Sequence, residues 1–122
     1  MRFGDNSVTY TIGKQGGNYY GITGLITVYN HIIGTEQISN SYVWLQNGLN
    51  SIDVGWQIYP LNYGDNDTHF FASWLNGDKG CYNMLCSGFI QVDKRIYLGI
   101  PLANTSTIGG TQYGVRVKLE QI

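Results

Sequence analysis

Residues 50–60 read Asn50-Ser51-Ile52-Asp53-Val54-Gly55-Trp56-Gln57-Ile58-Tyr59-Pro60 and alternate apolar with polar side chains. Because successive side chains of a strand point to opposite faces, this pattern predicts a strand with Ile52, Val54, Trp56 and Ile58 on a core face. The opposite face carries Asp53, Gly55, Gln57 and Tyr59. A carboxylate, an amide and a phenol on one strand face can hold a ligand, but such residues are more typical of a solvated strand face.

The same period of two runs through most of the chain, and no stretch has a sustained helical period. About eight antiparallel strands and essentially no helix are therefore expected, arranged as an all-β antiparallel sandwich in a single domain, residues 1–122. The other predicted strands are residues 8–12, 19–33, 38–46, 68–75, 89–92, 95–100 and 113–119. The predicted core is Val54, Trp56, Ile58, Phe70 and Trp74, with Ile26, Val28 and Ile32 also pointing inward.

Composition narrows the classes of function. Seventeen glycines and ten tyrosines with only 12% charged residues fit short strands joined by tight turns. A net charge of -1 gives no electrostatic case for binding nucleic acid or an anionic membrane. No run approaches the ~20 apolar residues of a transmembrane helix.

Further blocks accompany residues 50–60 in a fixed order. They are Val43-Trp44-Leu45-Gln46-Asn47-Gly48, Tyr63-Gly64-Asp65-Asn66-Asp67-Thr68-His69, Gly80-Cys81-Tyr82-Asn83-Met84-Leu85-Cys86-Ser87-Gly88-Phe89 and Gly109-Gly110-Thr111-Gln112-Tyr113. With them the chain resembles the first half of the neprosin-type domain of plant secreted proteins. The resemblance implies a lectin-like β-sandwich and a glutamic peptidase that cuts beside proline with two glutamates.

The first of those glutamates corresponds to Asp53, which is one methylene shorter. The second belongs to a later half of the domain, beyond Ile122. The other acids of the chain lie mostly in predicted turns, and none pairs with Asp53, so we expect no acid–base pair within the chain.

Two functions follow from these residues. The first is a protein that is not catalytic alone and binds an extended peptide or glycan on the face of Asp53, Gln57 and Tyr59, with Trp44 and Tyr42 as further contacts. The second is an endopeptidase cutting beside proline, whose second glutamate comes from a missing half or a partner chain. A purely structural or defence protein is a weaker alternative. A homodimer is expected, and no cofactor.

Cys81 and Cys86 enclose four residues and are predicted to form a disulfide. A zinc site would need two more ligands, and His31 and His69 do not have a suitable spacing, so no metal is expected. The triplets that begin at Asn66 and Asn104 are glycosylation acceptors. Together with the cysteines and the resemblance, these triplets predict a secreted protein.

Overall fold

The computed structural model describes residues 20–120. Six strands and one short helix follow one another: β1 (Gly21–Thr27), β2 (Ser39–Asn47), β3 (Asn50–Ile58), α1 (Pro60–Tyr63), β4 (His69–Asn76), β5 (Lys79–Tyr82) and β6 (Gly114–Glu120). The strand predicted at residues 8–12 lies outside the described residues. Within residues 20–120, no helix is long and apolar enough to cross a membrane.

Four consecutive strands form a meander in the order β2-β3-β4-β5. Two-residue loops join β2 to β3 and β4 to β5, because Asn47 pairs with Asn50 and Asn76 with Lys79. The first loop residue is a glycine with positive φ in both hairpins, 60° at Gly48 and 63° at Gly77. Glycine adopts this conformation without a steric penalty, so these two positions set the register of the hairpins.

A second, two-stranded sheet covers one face of the meander. It pairs β1 with β6 antiparallel, from Gly21 opposite Glu120 to Thr27 opposite Gly114. The core between the sheets is formed by buried residues from both: Ile26, Val28, Val54, Trp56, Ile58, Ala72 and Val117. The indole Nε1 of Trp56 also donates a hydrogen bond of 2.9 Å across the sandwich to the carbonyl oxygen of Thr27. The chain is thus an all-β antiparallel sandwich, as predicted.

The predicted core is correct on β3 and only partly correct on β4. Val54, Trp56 and Ile58 are buried, and Phe70 packs against them while staying partly exposed. Trp74 is half-buried and lies outside this cluster. The prediction that Ile32 points inward is wrong, since β1 ends at Thr27 and the side chain of Ile32 is 96% exposed.

The strands predicted at residues 89–92 and 95–100 are also wrong. The free edge of β4 is divided between β5, which pairs with residues 73–76, and a short extended segment around residues 99–102. In that segment Gly99 N donates to Phe70 O at 2.8 Å and Phe70 N to Ile100 O at 2.9 Å. Within this segment, strand-like pairing with β4 is limited to a single antiparallel bridge between His69 and Pro101. Because β5 already occupies half of the edge, no room is left for a longer strand.

Candidate functional site

The outer face of the meander, which points away from the core, carries a row of chemically distinct side chains. Residues directly opposite each other on neighbouring strands share a face. The register therefore places Trp44, Asp53, Ser73 and Tyr82 side by side across β2, β3, β4 and β5.

Aromatic rings surround this row. We call Tyr42, Trp44, Phe71 and Tyr82 the aromatic platform. Ring centroids are 5.9 Å apart for Tyr42 and Trp44, 6.0 Å for Tyr42 and Phe71, and 6.3 Å for Phe71 and Tyr82. These spacings fall within the range of favourable aromatic pairs, so the four rings form one connected cluster. Phe71 is buried beneath the other three, which form the outer surface of the cluster.

Gly55 forms the floor between Tyr42 and Phe71, which lie opposite it on the two neighbouring strands. A Cβ atom added at Gly55 would lie 2.0 Å from Ser41 O and 2.6 Å from the Cα of Tyr42. No side chain fits at such distances. Because Gly55 has no side chain, β2 can approach β3 closely, and the rings of Tyr42 and Phe71 can meet above β3.

Asp53 lies at the bottom of a cleft of about 250 Å³ beside the platform. Its carboxylate oxygen Oδ2 accepts a hydrogen bond of 2.9 Å from the Ser73 hydroxyl. Burial raises the pKa of the Asp53 carboxyl above its ordinary value, and the Ser73 hydrogen bond lowers it in part. The folded chain therefore holds this proton to a higher pH than the unfolded chain does.

Tyr82 lies on the same face as Asp53, opposite Ser73. Burial raises the pKa of the Tyr82 phenol, and electrostatic interactions with Tyr59, Asp53 and Tyr42 raise it further. Of the residues predicted to bind ligand, Tyr42, Trp44 and Tyr59 thus lie on or next to this face with Asp53. Sequence reasoning missed Tyr82, although its place immediately after Cys81 in the Cys-Tyr-Asn block was a usable signal.

Gln57 has a different environment from the other predicted ligand contacts. Its side chain is 1% exposed because α1 folds over the end of the sheet. The Tyr63 hydroxyl lies 3.3 Å from Gln57 Oε1 and donates to it, while the Tyr63 ring stacks on the imidazole of His69 at 3.9 Å. Gln57 therefore supports α1 from below, and its direct contact with a ligand stays a prediction.

The stack on Tyr63 belongs to a hydrogen-bonded network at the end of the sheet that α1 covers. His69 Nε2 lies 2.8 Å from Asp65 Oδ1, and His69 Nδ1 lies 2.7 Å from Gly99 O. Partial burial raises the pKa of Asp65, but hydrogen bonds from His69 and from the Asp67 amide outweigh it, so the pKa is lowered overall. Asn83 joins the network through Nδ2, which donates to the Tyr63 hydroxyl at 3.0 Å.

The loop that carries Tyr82 and Asn83 is closed covalently. Cys81 and Cys86 form the predicted disulfide, with their Cα atoms 6.3 Å apart. Asn83 fixes the same loop to the sheet, because its Oδ1 accepts a hydrogen bond of 3.1 Å from the amide of Ala72. Two independent links thus hold Tyr82 beside Asp53.

A comparison with protein-family models finds a match between residues 35–121 and the Neprosin family. The chain belongs to the Neprosin family. The match includes every strand of the meander, the aromatic platform and the disulfide loop.

Acid–base chemistry by a pair of carboxylates would require a second acid near Asp53. Among residues 20–120, Asp53 is the only charged residue that lines the cleft. No other carboxylate of residues 20–120 contributes to the shift of its pKa. In the described part of this neprosin-family chain, Asp53 is therefore an isolated acid. The same residues contain no group of three or more His, Cys, Asp or Glu side chains that could hold a metal ion.

The two predicted glycosylation acceptors lie in different environments. Asn66 is half-buried, and its Nδ2 donates to His31 O at 2.8 Å. Thr68 of the same triplet is buried and donates to Tyr29 O at 2.7 Å. Asn104 is exposed.

Proposed function

We propose that this chain binds an extended peptide across the aromatic platform and that residues 20–120 do not hydrolyse peptides by themselves. The observation that carries the proposal is a half-buried, isolated carboxylate in an open cleft beside four aromatic rings. Hydrolysis by a carboxylate pair needs one acid to donate a proton and a second to activate water. Asp53 alone supplies only one of these groups.

Peptide is favoured over glycan as the ligand. Aromatic rings can stack against sugar rings or against apolar side chains, so the platform suits both kinds of ligand. The chain belongs to the Neprosin family, and its resemblance to neprosin-type domains implies a peptidase, which favours a peptide as the ligand. An extended peptide rises by about 3.3 Å per residue, as a strand does, so its side chains can contact successive positions of the outer sheet face.

Peptide hydrolysis is the second candidate, and the raised pKa of Asp53 favours it. A carboxyl group that keeps its proton to higher pH is suited to act as a general acid. The second carboxylate would then come from a partner chain or from sequence outside the described residues. Because aspartate is one methylene shorter than glutamate, the acid would lie farther from the substrate, and a misplacement near 1 Å can cost ~100-fold in rate.

We further propose that the chain is secreted and forms a homodimer. The disulfide is of the kind that persists in oxidising compartments. In the described sheets, β1, β2, β5 and β6 each have an edge without a paired strand, and exposed strand edges favour association with a second copy. Sedimentation at micromolar concentration tests this directly: a 13.6 kDa monomer at every concentration would overturn the dimer.

Binding is tested by isothermal titration and ¹H–¹⁵N NMR with two ligand panels, proline-containing peptides and neutral oligosaccharides. The variants are Tyr82→Ala, which removes one ring of the platform, and Asp93→Asn, which removes a surface acid that pairs with Arg95 and does not line the cleft. We expect peptide-induced shifts at Tyr42, Trp44 and Tyr82, and at least tenfold weaker binding for Tyr82→Ala alone. Binding of oligosaccharides only, or of neither panel, would overturn the proposal.

Catalysis is tested with the same peptides and mass spectrometry at acidic and neutral pH. We expect the peptides to remain intact. Cleavage that Asp53→Asn abolishes and Asp93→Asn leaves unchanged would overturn the non-catalytic proposal in favour of hydrolysis.

A further inference from the structure

The Asp53 cleft has an uncompensated negative charge. Its lining is Ser51, Asp53, Ser73, Trp74, Leu75, Gly80, Cys81 and Tyr82, a set without lysine, arginine or histidine. The one hydrogen bond to the Asp53 side chain among the described residues comes from the neutral hydroxyl of Ser73. A partly desolvated carboxylate without a cationic partner is energetically unfavourable, and it gains most from a ligand that brings the opposite charge.

The cleft walls suit a cation on an apolar stem. Tyr82 lines the cleft, and Trp44 flanks Asp53 from β2. The electron-rich faces of such rings attract ammonium and guanidinium groups. Leu75, also in the lining, is available to contact the methylene groups of a lysine or arginine side chain, which commonly lie along apolar surface while the charge is engaged elsewhere.

The size of the cleft limits what enters it. A volume of about 250 Å³ is below the ~300–1,000 Å³ of sites for drug-sized ligands. It fits one side chain of a longer ligand whose remaining residues cross the platform. The Ser73 hydroxyl already donates a hydrogen bond to Asp53 Oδ2, so Oδ1 is the oxygen that can accept one from an N–H group of the ligand.

From this charge, lining and volume we infer that the Asp53 cleft binds a lysine or arginine side chain of the bound peptide. This inference rests on the proposed peptide binding and names the class of side chain that the site selects. The selectivity comes from Asp53, with the aromatic walls adding to it.

The test is a set of peptides that are identical except at one position, which is lysine, arginine, norleucine or citrulline. Norleucine keeps the four-carbon chain of lysine without the ammonium group, and citrulline keeps the length of arginine without the charge. We expect the charged members to bind about tenfold more tightly at pH 7 and low salt, as is typical for a hydrogen bond to a charged group. The preference should weaken with added salt and at a pH low enough to protonate Asp53.

Two variants isolate the carboxylate. Asp53→Asn should reduce the preference for the charged peptides to less than twofold, whereas Asp53→Glu, which keeps the charge, should retain it. An NMR spectrum of each variant verifies that the sheets are intact. Equal binding of charged and neutral peptides, or a preference that persists in Asp53→Asn, would overturn the inference while leaving peptide binding in place. Failure of every peptide to bind would instead overturn the proposed function.

Discussion

Replacing Gly55 with alanine should be among the most destabilising single-methyl changes in the described chain. The new Cβ would lie 2.0 Å from Ser41 O and 2.6 Å from the Cα of Tyr42, and both are backbone atoms that cannot rotate away. Non-bonded carbon atoms need about 3.5 Å, so β2 would have to retreat from β3 by more than about 1 Å.

That retreat would stretch the longest ladder of the meander, which runs from Ser39 opposite Ile58 to Asn47 opposite Asn50. We expect a loss of about 3 kcal/mol in the free energy of unfolding, the upper part of the range for overpacking. A loss of this size is a large fraction of the stability of a small domain.

Urea denaturation followed by tryptophan fluorescence measures this loss. Gly34→Ala is the matched control, because its Cβ would approach only the exposed side chain of Gln37, at 3.2 Å. The control should change the unfolding free energy by less than about 0.5 kcal/mol. A Gly55→Ala protein as stable as this control would refute the close approach of β2 and β3.

Three further predictions concern the core, the cleft and the surface. Trp56→Phe removes the hydrogen bond to Thr27 O between the sheets and should lower the unfolding free energy by about 2 kcal/mol, measured in the same urea assay. Asp53→Asn should raise the melting temperature at pH 7 but not at pH 3. Because folding raises the pKa of the Asp53 carboxyl, this group stabilises the fold below its unfolded pKa and loses that contribution as the pH rises through its folded pKa. Equal shifts of the melting temperature at both pH values would contradict this prediction. In a secreting eukaryotic host, Asn104→Gln should abolish a glycosidase-sensitive gel shift and Asn66→Gln should not, because the Asn66 amide is already bonded to His31 O.

The parts of the fold predicted correctly are those governed by local alternation. Val54, Trp56 and Ile58 alternate along β3, and they are buried as a strand with one core face requires. The prediction failed for residues 89–92 and 95–100 because alternation does not decide which segment pairs with a neighbour: β5 and the segment around residues 99–102 occupy the edge of β4. The prediction missed the short strand β5, although Gly77-Asp78 between two strands is a two-residue hairpin signal.

The candidate site was likewise predictable where it depends on the alternation of side chains along a strand. Asp53 lies on the outer face because Val54 lies on the inner one, and register then brings Trp44 beside it. The burial of Gln57 could not be read from alternation, since it depends on α1 returning over the sheet with Tyr63. Phe71 illustrates the same limit: it lies on the outer face, yet its side chain is only 1% exposed because neighbouring rings cover it.

The pairing of β1 with β6 has a consequence for the order of folding. The meander is built from neighbours in sequence, whereas Gly21 meets Glu120 across nearly the entire described chain. Closing a loop of that length costs more entropy than closing two-residue hairpins, so the meander forms early and the two-stranded sheet closes late. During synthesis the apolar face of Val54, Trp56 and Ile58 consequently stays without its cover until β6 has left the ribosome, and that interval is when the nascent chain is most exposed to aggregation.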